Sequence, residues 1–298
     1  MYELSVGSKI FVLGEYQVLE SGTALLSVIE PRFKMKFIPG SGKVSGFHDK
    51  SPAGIFFNQH HEFFKNWDIE FVDPHDGAGG FGASTAQVAL LQGFKTSYPS
   101  LEKDAWVELD LKGLHKNYLE MAQLSSGVQP SGADFVAQIQ GGLVSVDLKH
   151  GKIQKTFWPF SKWQFLFFMT RNKVSTHDHL SKLTQLNTKK LNEIYQRSIR
   201  ALEEQNEICF LQSFKDYQLE LKALGWESEK TTQLLLKAQN YKGVLAAKGC
   251  GAMGSDVLAL LIEKSNTIDI IKQMEKLGVK YCGGFDDQTE GLVSKYGP

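Results

Sequence analysis

Two stretches of this chain combine clustered glycine with a following run suited to a helix. The first is Asp73–Gly82, DPHDGAGGFG, the most glycine-dense segment, and ASTAQVALLQGF follows it. The second is Lys248–Gly254, KGCGAMG. Glycine accepts positive φ at little steric cost, so backbone N–H groups in such turns can face an anion. A helix starting next adds the positive end of its dipole. The chemistry on offer is phosphate binding. Ser84 and Thr85 stand where the first helix begins. Neither stretch matches GxxxxGK[ST] or a GxGxxG placed after a strand. A purely turn-forming role accounts for the glycines equally well, and helix N-capping accounts for the two hydroxyls.

Other chemistries are poorly supplied. Cys209, Cys250 and Cys282 are far apart, odd in number and without a CxxC pair. That disfavours a disulfide framework or zinc site and points to a reducing, cytoplasmic location. His60, His61, His177 and His179 read as solvated or capping side chains. The 298 residues carry 33 Lys plus Arg against 33 Asp plus Glu. Zero net charge argues against a general grip on nucleic acid or anionic lipid, so any anion recognition is local. The opening MYELSVGSKIFVLGEY lacks a basic segment before an apolar core, so no signal peptide is read. The longest apolar run, Trp163–Met169, has the length of a buried strand rather than a membrane span.

The elements around these turns read as follows. Lys9–Leu13 predicts a buried strand, broken by Gly14, with Tyr16–Leu19 as a second strand. Ala24–Ile29 is apolar, Phe33–Ile38 alternates as a strand, and Gly40–Ser51 reads as an exposed loop or hairpin. Leu101–Leu124 has helical spacing, and Pro130-Ser131-Gly132 turns into Ala133–Ile139. Leu143–Asp147 and Ile153–Trp158 form a hairpin pattern. The remainder is richer in helices: Leu180–Leu224, Thr231–Asn240, Ser255–Glu263 and Ile268–Leu277, with strands at Trp163–Thr170 and Gly278–Tyr281. The class is α+β, with a boundary near residue 160 and two domains, 1–160 and 161–298.

Three segments in order carry a more specific signal: KIFVLGEYQVLESG at Lys9–Gly22, GFGASTA at Gly80–Ala86 and KGCGAMGSD at Lys248–Asp256. Together they resemble the three motifs of the GHMP kinase superfamily. PSGAD at Pro130–Asp134, with Gly141-Gly142 behind it, resembles a fourth segment found in its mevalonate kinases. GEY and Asp256 lean towards phosphomevalonate kinases; PSGAD and the compact length lean towards mevalonate kinases. The resemblance implies an N-terminal domain like ribosomal protein S5 domain 2 and a ferredoxin-like C-terminal domain, with ATP and acceptor in the cleft between them.

Residue by residue, the resemblance implies the following. Gly80, Gly82, Ala83, Ser84 and Thr85 cradle the ATP phosphates, and Ser84 also reaches Mg²⁺. Gly251, Ala252 and Gly254 form a third loop that buttresses the first. Asp134 is the candidate catalytic carboxylate, and Lys9 lies beside it to stabilise an anionic oxygen. Glu15, Ser131, Arg171 and Lys173 are candidate acceptor-binding residues. The family's upstream Mg²⁺ glutamate falls at Gln123, which carries no charge, so Glu120 one turn earlier is its candidate replacement. The competing readings are a turn or cap for Asp134, a solvated strand-end charge for Lys9, and exposed surface for Glu15, Glu120 and the Arg171–Lys173 loop. Met253 stands where glycine is usual, Ser255 replaces another, and Phe81 and Ala83 depart from the phosphate-loop pattern.

The function implied is transfer of the ATP γ-phosphoryl group to a small molecule, phosphomevalonate ahead of mevalonate. The alternatives are another small alcohol acceptor, or a non-catalytic homologue that binds nucleotide or ligand. No nucleic-acid or membrane partner is expected, and a homodimer is left open.

Overall fold

The computed structural model describes residues 1–101, 109–170, 187–251, 254 and 256–296. Two sheets organise the chain. The first has seven strands. They are β1 (Tyr2–Leu13), β2 (Thr23–Pro39), β3 (Val44–Ser45), β4 (Trp67–Val72), β5 (Leu143–Asp147), β6 (Lys152–Thr156) and β11 (Val293–Tyr296). The second has four: β7 (Trp163–Met169), β8 (Val244–Cys250), β9 (Val257–Glu263) and β10 (Lys280–Gly284), in the order β10-β7-β9-β8.

The two apolar runs read from Ala24–Ile29 and Phe33–Ile38 are one long strand. The first part of β2 pairs with β5 and the later part with β4, while β1 runs antiparallel along its other edge. The register of β1 against β2 shifts at Gly7/Ser8. The helices α4 (Ala83–Leu101), α5 (Leu111–Ser126) and α6 (Ala133–Gln140) belong with this sheet, and α4 and α6 pack directly on β1 and β2. Asp110 caps α5 by accepting from the Gly113 amide at 3.1 Å. Gly127, at φ +72°, ends that helix in the left-handed conformation that glycine favours. Two short helices, α2 (Pro52–Gln59) and α3 (His61–Phe64), lie ahead of β4.

Two expectations are corrected. Tyr16–Leu19 is not a strand: α1 (Gln17–Ser21) forms there, entered through Gly14 at φ +109° and Tyr16 at φ +65°. Val257–Glu263, read within a helix, is β9, an interior strand buried on both faces. Phe165, Phe167, Ala259 and Leu261 join the main core, while Leu166, Phe168, Leu258, Leu260 and Ile262 join a second cluster. With both faces apolar, the period-2 signal that would betray a strand is erased. In the first sheet, β11 pairs antiparallel with β1, Tyr2 opposite Tyr296.

The second sheet is sandwiched by helices. The helices α7 (Lys189–Glu203) and α8 (Glu207–Ala223) pack together, and α8 lies against β8. On the other face, α9 (Glu229–Gln239) and α10 (Thr267–Lys276) supply Leu235, Ala238, Ile270 and Met274 to the second cluster. Burying an aliphatic or aromatic side chain of this size contributes about 1.5–3 kcal/mol before entropy is counted.

Candidate active site

The glycine-dense segment leaves β4 and turns sharply into α4. The Asp73 carboxylate accepts from the amides of His75 and Gly77, at 2.8 and 3.0 Å, and sets the first bend. Gly80 and Gly82 have φ of +91° and +86°. A methyl at Gly80 would stand 2.8 Å from Asp256 Cβ, and one at Gly79 would meet Asp256 Oδ1 at 2.9 Å. One at Gly251, in the third motif, would meet Asp256 Oδ2 at 2.7 Å. Asp256 is therefore wedged between the two glycine-rich loops, and all three glycines make room for it.

The start of α4 presents its first amides without helical carbonyl partners, a geometry suited to anions. The two hydroxyls there have separate jobs. Ser84 is exposed. Thr85 is buried, with Oγ1 at 2.8 Å from the Gly82 carbonyl and 2.6 Å from Gln138 Oε1. Gln138 in turn donates to the Gly7 carbonyl at 3.0 Å. Thr85 thus ties the loop to α6 and β1, and Ser84 faces outward.

Lys9 connects this loop to the candidate base. Its amide donates to the Phe81 carbonyl at 3.0 Å, and its side chain runs past Gly82. The ammonium lies 3.9 Å from Asp134 Oδ2 and 4.8 Å from the centre of the Phe11 ring. Asp134 stands in the first turn of α6, entered through Gly132 at φ +71°. Its Oδ1 accepts from the Phe135 amide at 3.1 Å, yet its side chain keeps 24% exposure, open to a ligand. His115 donates from Nε2 to the Ser131 carbonyl at 3.1 Å, fixing the turn before α6; burial holds its pKa below the usual histidine value.

Glu15 faces inward. It is 6% exposed and pairs with the fully buried Lys248. Burial raises the Glu15 carboxyl above its ordinary pKa despite Lys248 and Lys9 nearby. Burial works against the Lys248 ammonium as well, but the Cys250 sulfur and the Glu15 carboxylate outweigh it, so its pKa stays raised. The Cys250 thiol is pushed up to about 11, chiefly by burial. Tyr217 on α8 completes the clasp: its hydroxyl accepts from the Gly14 amide and donates to the Glu15 carbonyl, each at 3.1 Å.

Of the remaining candidates, Ser131 caps its own turn, its hydroxyl accepting from the Ala133 amide at 3.3 Å. Gly254 donates to the Gly251 carbonyl at 3.0 Å, and Thr231 holds the Gly254 carbonyl. Arg171, Lys173, Ala252, Met253 and Ser255 lie outside the described residues. Glu120 does not join this group. Its helix turns His115 and Tyr118 towards the α6 side, whereas Glu120 lines a separate cavity and pairs with Lys116 at 4.0 Å.

Four contributors escaped the motif reading: Gln138, Tyr217, Lys248 as a partner of Glu15, and His75. The His75 ring stacks on Phe81 at 3.8 Å, and its Nε2 lies 2.6 Å from Ser8 Oγ. Burial drops its pKa to about 4. The signals available were the place of Lys248 inside the third motif and that of His75 inside the glycine-dense segment; Gln138 and Tyr217 gave none.

No protein family and no curated protein is matched by the sequence. The fold is widely matched. A Lin0012 protein from Listeria innocua aligns with a TM-score of 0.75 and 20% identity, over 99% of each chain. Streptococcus pneumoniae phosphomevalonate kinase, in complex with phosphomevalonate and AMPPNP, gives 0.76 and 17%, over 97% of this chain and 100% of that one. Lactococcus lactis galactokinase complexed with galactose gives 0.72 and 12%, over 98% and 94%. Mevalonate and homoserine kinases superimpose as well. The chain thus shares the mixed α+β fold of these solved structures.

Proposed function

We propose that this protein is an ATP-dependent small-molecule kinase whose acceptor is phosphomevalonate, with mevalonate second. The observation that carries the reading is Lys9. One residue is tied by its backbone to the glycine-rich loop and by its side chain to Asp134. Phosphoryl transfer needs such a junction, because donor phosphates and acceptor oxygen must meet within a few ångströms with their charge neutralised.

In this reading the amides at the start of α4 hold the ATP phosphates, and Gly80 and Gly82 let them approach closely. Asp134 accepts a proton from a hydroxyl acceptor, or only aligns an acceptor that is already an anionic phosphate. Lys9 stabilises the oxygen that carries negative charge during transfer. The residues suit a Mg²⁺ carried mainly by phosphate. The Ser84 hydroxyl is exposed beside the loop, and among the described residues no cluster of three or more His, Cys, Asp or Glu exists to hold an ion unaided. When bound, Mg²⁺ neutralises phosphate charge.

The Streptococcus pneumoniae enzyme that shares the fold holds both phosphomevalonate and the nucleotide AMPPNP, which supports the choice of acceptor and cofactor. The test is ATP turnover with phosphomevalonate, mevalonate, homoserine and galactose in parallel. Turnover with phosphomevalonate at the highest kcat/KM is expected. Turnover with homoserine or galactose alone overturns the acceptor, and none with any of the four, despite ATP binding, overturns the kinase reading for this panel.

A further inference from the structure

His115 stands on α5, outside every sequence motif, yet it touches the turn that delivers Asp134. Its Nε2 lies 3.1 Å from the Ser131 carbonyl oxygen, which can only accept, so Nε2 carries a proton. The approach is close. A methyl at Gly132 would stand 2.3 Å from His115 Nε2 and 3.2 Å from Leu119 Cδ2, so a side chain there would drive α5 away from the turn.

His115, Tyr118 and Leu119 are spaced i, i+3 and i+4 and share one face of α5. That face holds α6 on both sides of Asp134. Before it, His115 and Leu119 lie against Ser131 and Gly132; after it, the Tyr118 ring stacks on Phe135 at 4.8 Å and 8°. The charge of Asp134 is felt on the same face: the Tyr118 hydroxyl pKa is raised first by burial and then by Asp134.

The peptide plane links the histidine to the direction of α6. The Ser131 carbonyl and the Gly132 amide belong to one rigid unit, so holding the carbonyl restrains the turn through Gly132, at φ +71°, from which α6 starts. No side chain caps α6 at Gly132, and the Ser131 hydroxyl reaches the Ala133 amide only at 3.3 Å. The imidazole supplies the tie from outside the turn. On the reading that Asp134 meets the acceptor, we propose that His115 is a positioning residue for phosphoryl transfer. Its bond to the Ser131 carbonyl sets the start of α6 so that the Asp134 carboxylate stays 3.9 Å from the Lys9 ammonium and open to the acceptor. Displacing a reacting group by about 1 Å can cost ~10²-fold in rate, so the tie acts on turnover as well as on the fold.

Crystal structures and steady-state kinetics of three variants test this. His115→Leu removes the donor, His115→Gln keeps an N–H at similar reach, and His115→Leu combined with Asp134→Asn asks whether the effect runs through Asp134. In His115→Leu, Asp134 is expected to leave ion-pair distance of Lys9, kcat to fall ~10-fold or more and KM for ATP to stay unchanged. His115→Gln should keep the Asp134–Lys9 distance and most of kcat. In the Asp134→Asn background, His115→Leu should cost nothing further. Thermal melting checks that each variant is folded; should His115→Leu not fold, His115→Asn, too short to reach the carbonyl, takes its place. An unmoved Asp134 in His115→Leu, an equal loss in His115→Gln, or an additive loss in the double variant would each overturn the assignment. No turnover by the wild type with any acceptor would instead remove the kinase reading, and the Lys9–Asp134 separation in the crystals would still decide whether His115 positions Asp134.

Discussion

The Lys248 ammonium, buried on β8 of the second sheet, meets the Glu15 carboxylate on the turn that ends β1 of the first. The two residues come from the first and third sequence motifs, so the contact fastens those motifs across the two sheets. Tyr217 braces the same turn from α8. Removing one partner strands the other charge in the interior. Lys248→Met should therefore cost about 3–5 kcal/mol, the range for breaking a buried ion pair. Glu15→Gln combined with Lys248→Met should recover a substantial part of that loss. Urea unfolding of the single and double variants measures this, and additive effects would show that the pair is not coupled.

Asp134→Asn separates the two acceptors. With a hydroxyl acceptor the loss of a base should cost at least ~10²-fold in kcat. With a phosphate acceptor, already anionic, the loss should be smaller, while KM for ATP stays within a few-fold. Steady-state kinetics with mevalonate and phosphomevalonate read both outcomes. Near-normal turnover on both would remove Asp134 from the chemistry.

Ser84 and Thr85 are neighbours with opposite expected losses. Thr85→Ala leaves Gln138 Oε1 buried without its donor and should destabilise the fold by about 1–3 kcal/mol. Ser84→Ala, at an exposed position, should leave the thermal midpoint nearly unchanged and lower kcat/KM for Mg·ATP ~10-fold or more. Calorimetric melting and kinetics on the pair check this, and the reverse pattern would exchange their roles.

His75 predicts an acid limit. Its folded pKa of about 4 lies below the usual 6.5, so the unfolded chain binds the extra proton more readily. Its contribution to stability is complete above pH ~6.5 and is lost as pH falls towards about 4. The ring stacks on Phe81 inside the glycine-rich loop proposed to hold ATP, so on that reading ATP binding should weaken over the same window. His75→Gln should flatten the fall between pH 6.5 and 4.5. Urea midpoints of both proteins at those pH values decide it; an unchanged fall would assign the acid sensitivity to carboxylates elsewhere.

The glycine-rich loop, α4 and the turn into α6 were legible because each rests on local features, clustered glycines and a following helical run; the nearness of Lys9 to Asp134 was implied only by the resemblance that the ordered motifs carry. What escaped depends on distant partners. Nothing near Tyr16 announces that the Trp226 ring will pack against it, tilted by 35° at 4.6 Å, or that Tyr217 will hold the preceding turn, so Tyr16–Leu19 read as a strand by residue type. The Val257–Ile262 run is uniformly apolar because both of its faces are covered, and that makes strand and helix indistinguishable in sequence. Glu120 was chosen by counting along one helix, and the helix turned it towards another cavity.

The return of β11 to β1 bears on how the protein is made. The outer edge of β1 is closed by residues synthesised at nearly the other end of the chain. During translation that edge keeps unpaired N–H and C=O groups over Tyr2–Ser5 until the second sheet has left the ribosome. The nascent protein thus carries a strand-pairing surface until β11 has been made and retires it.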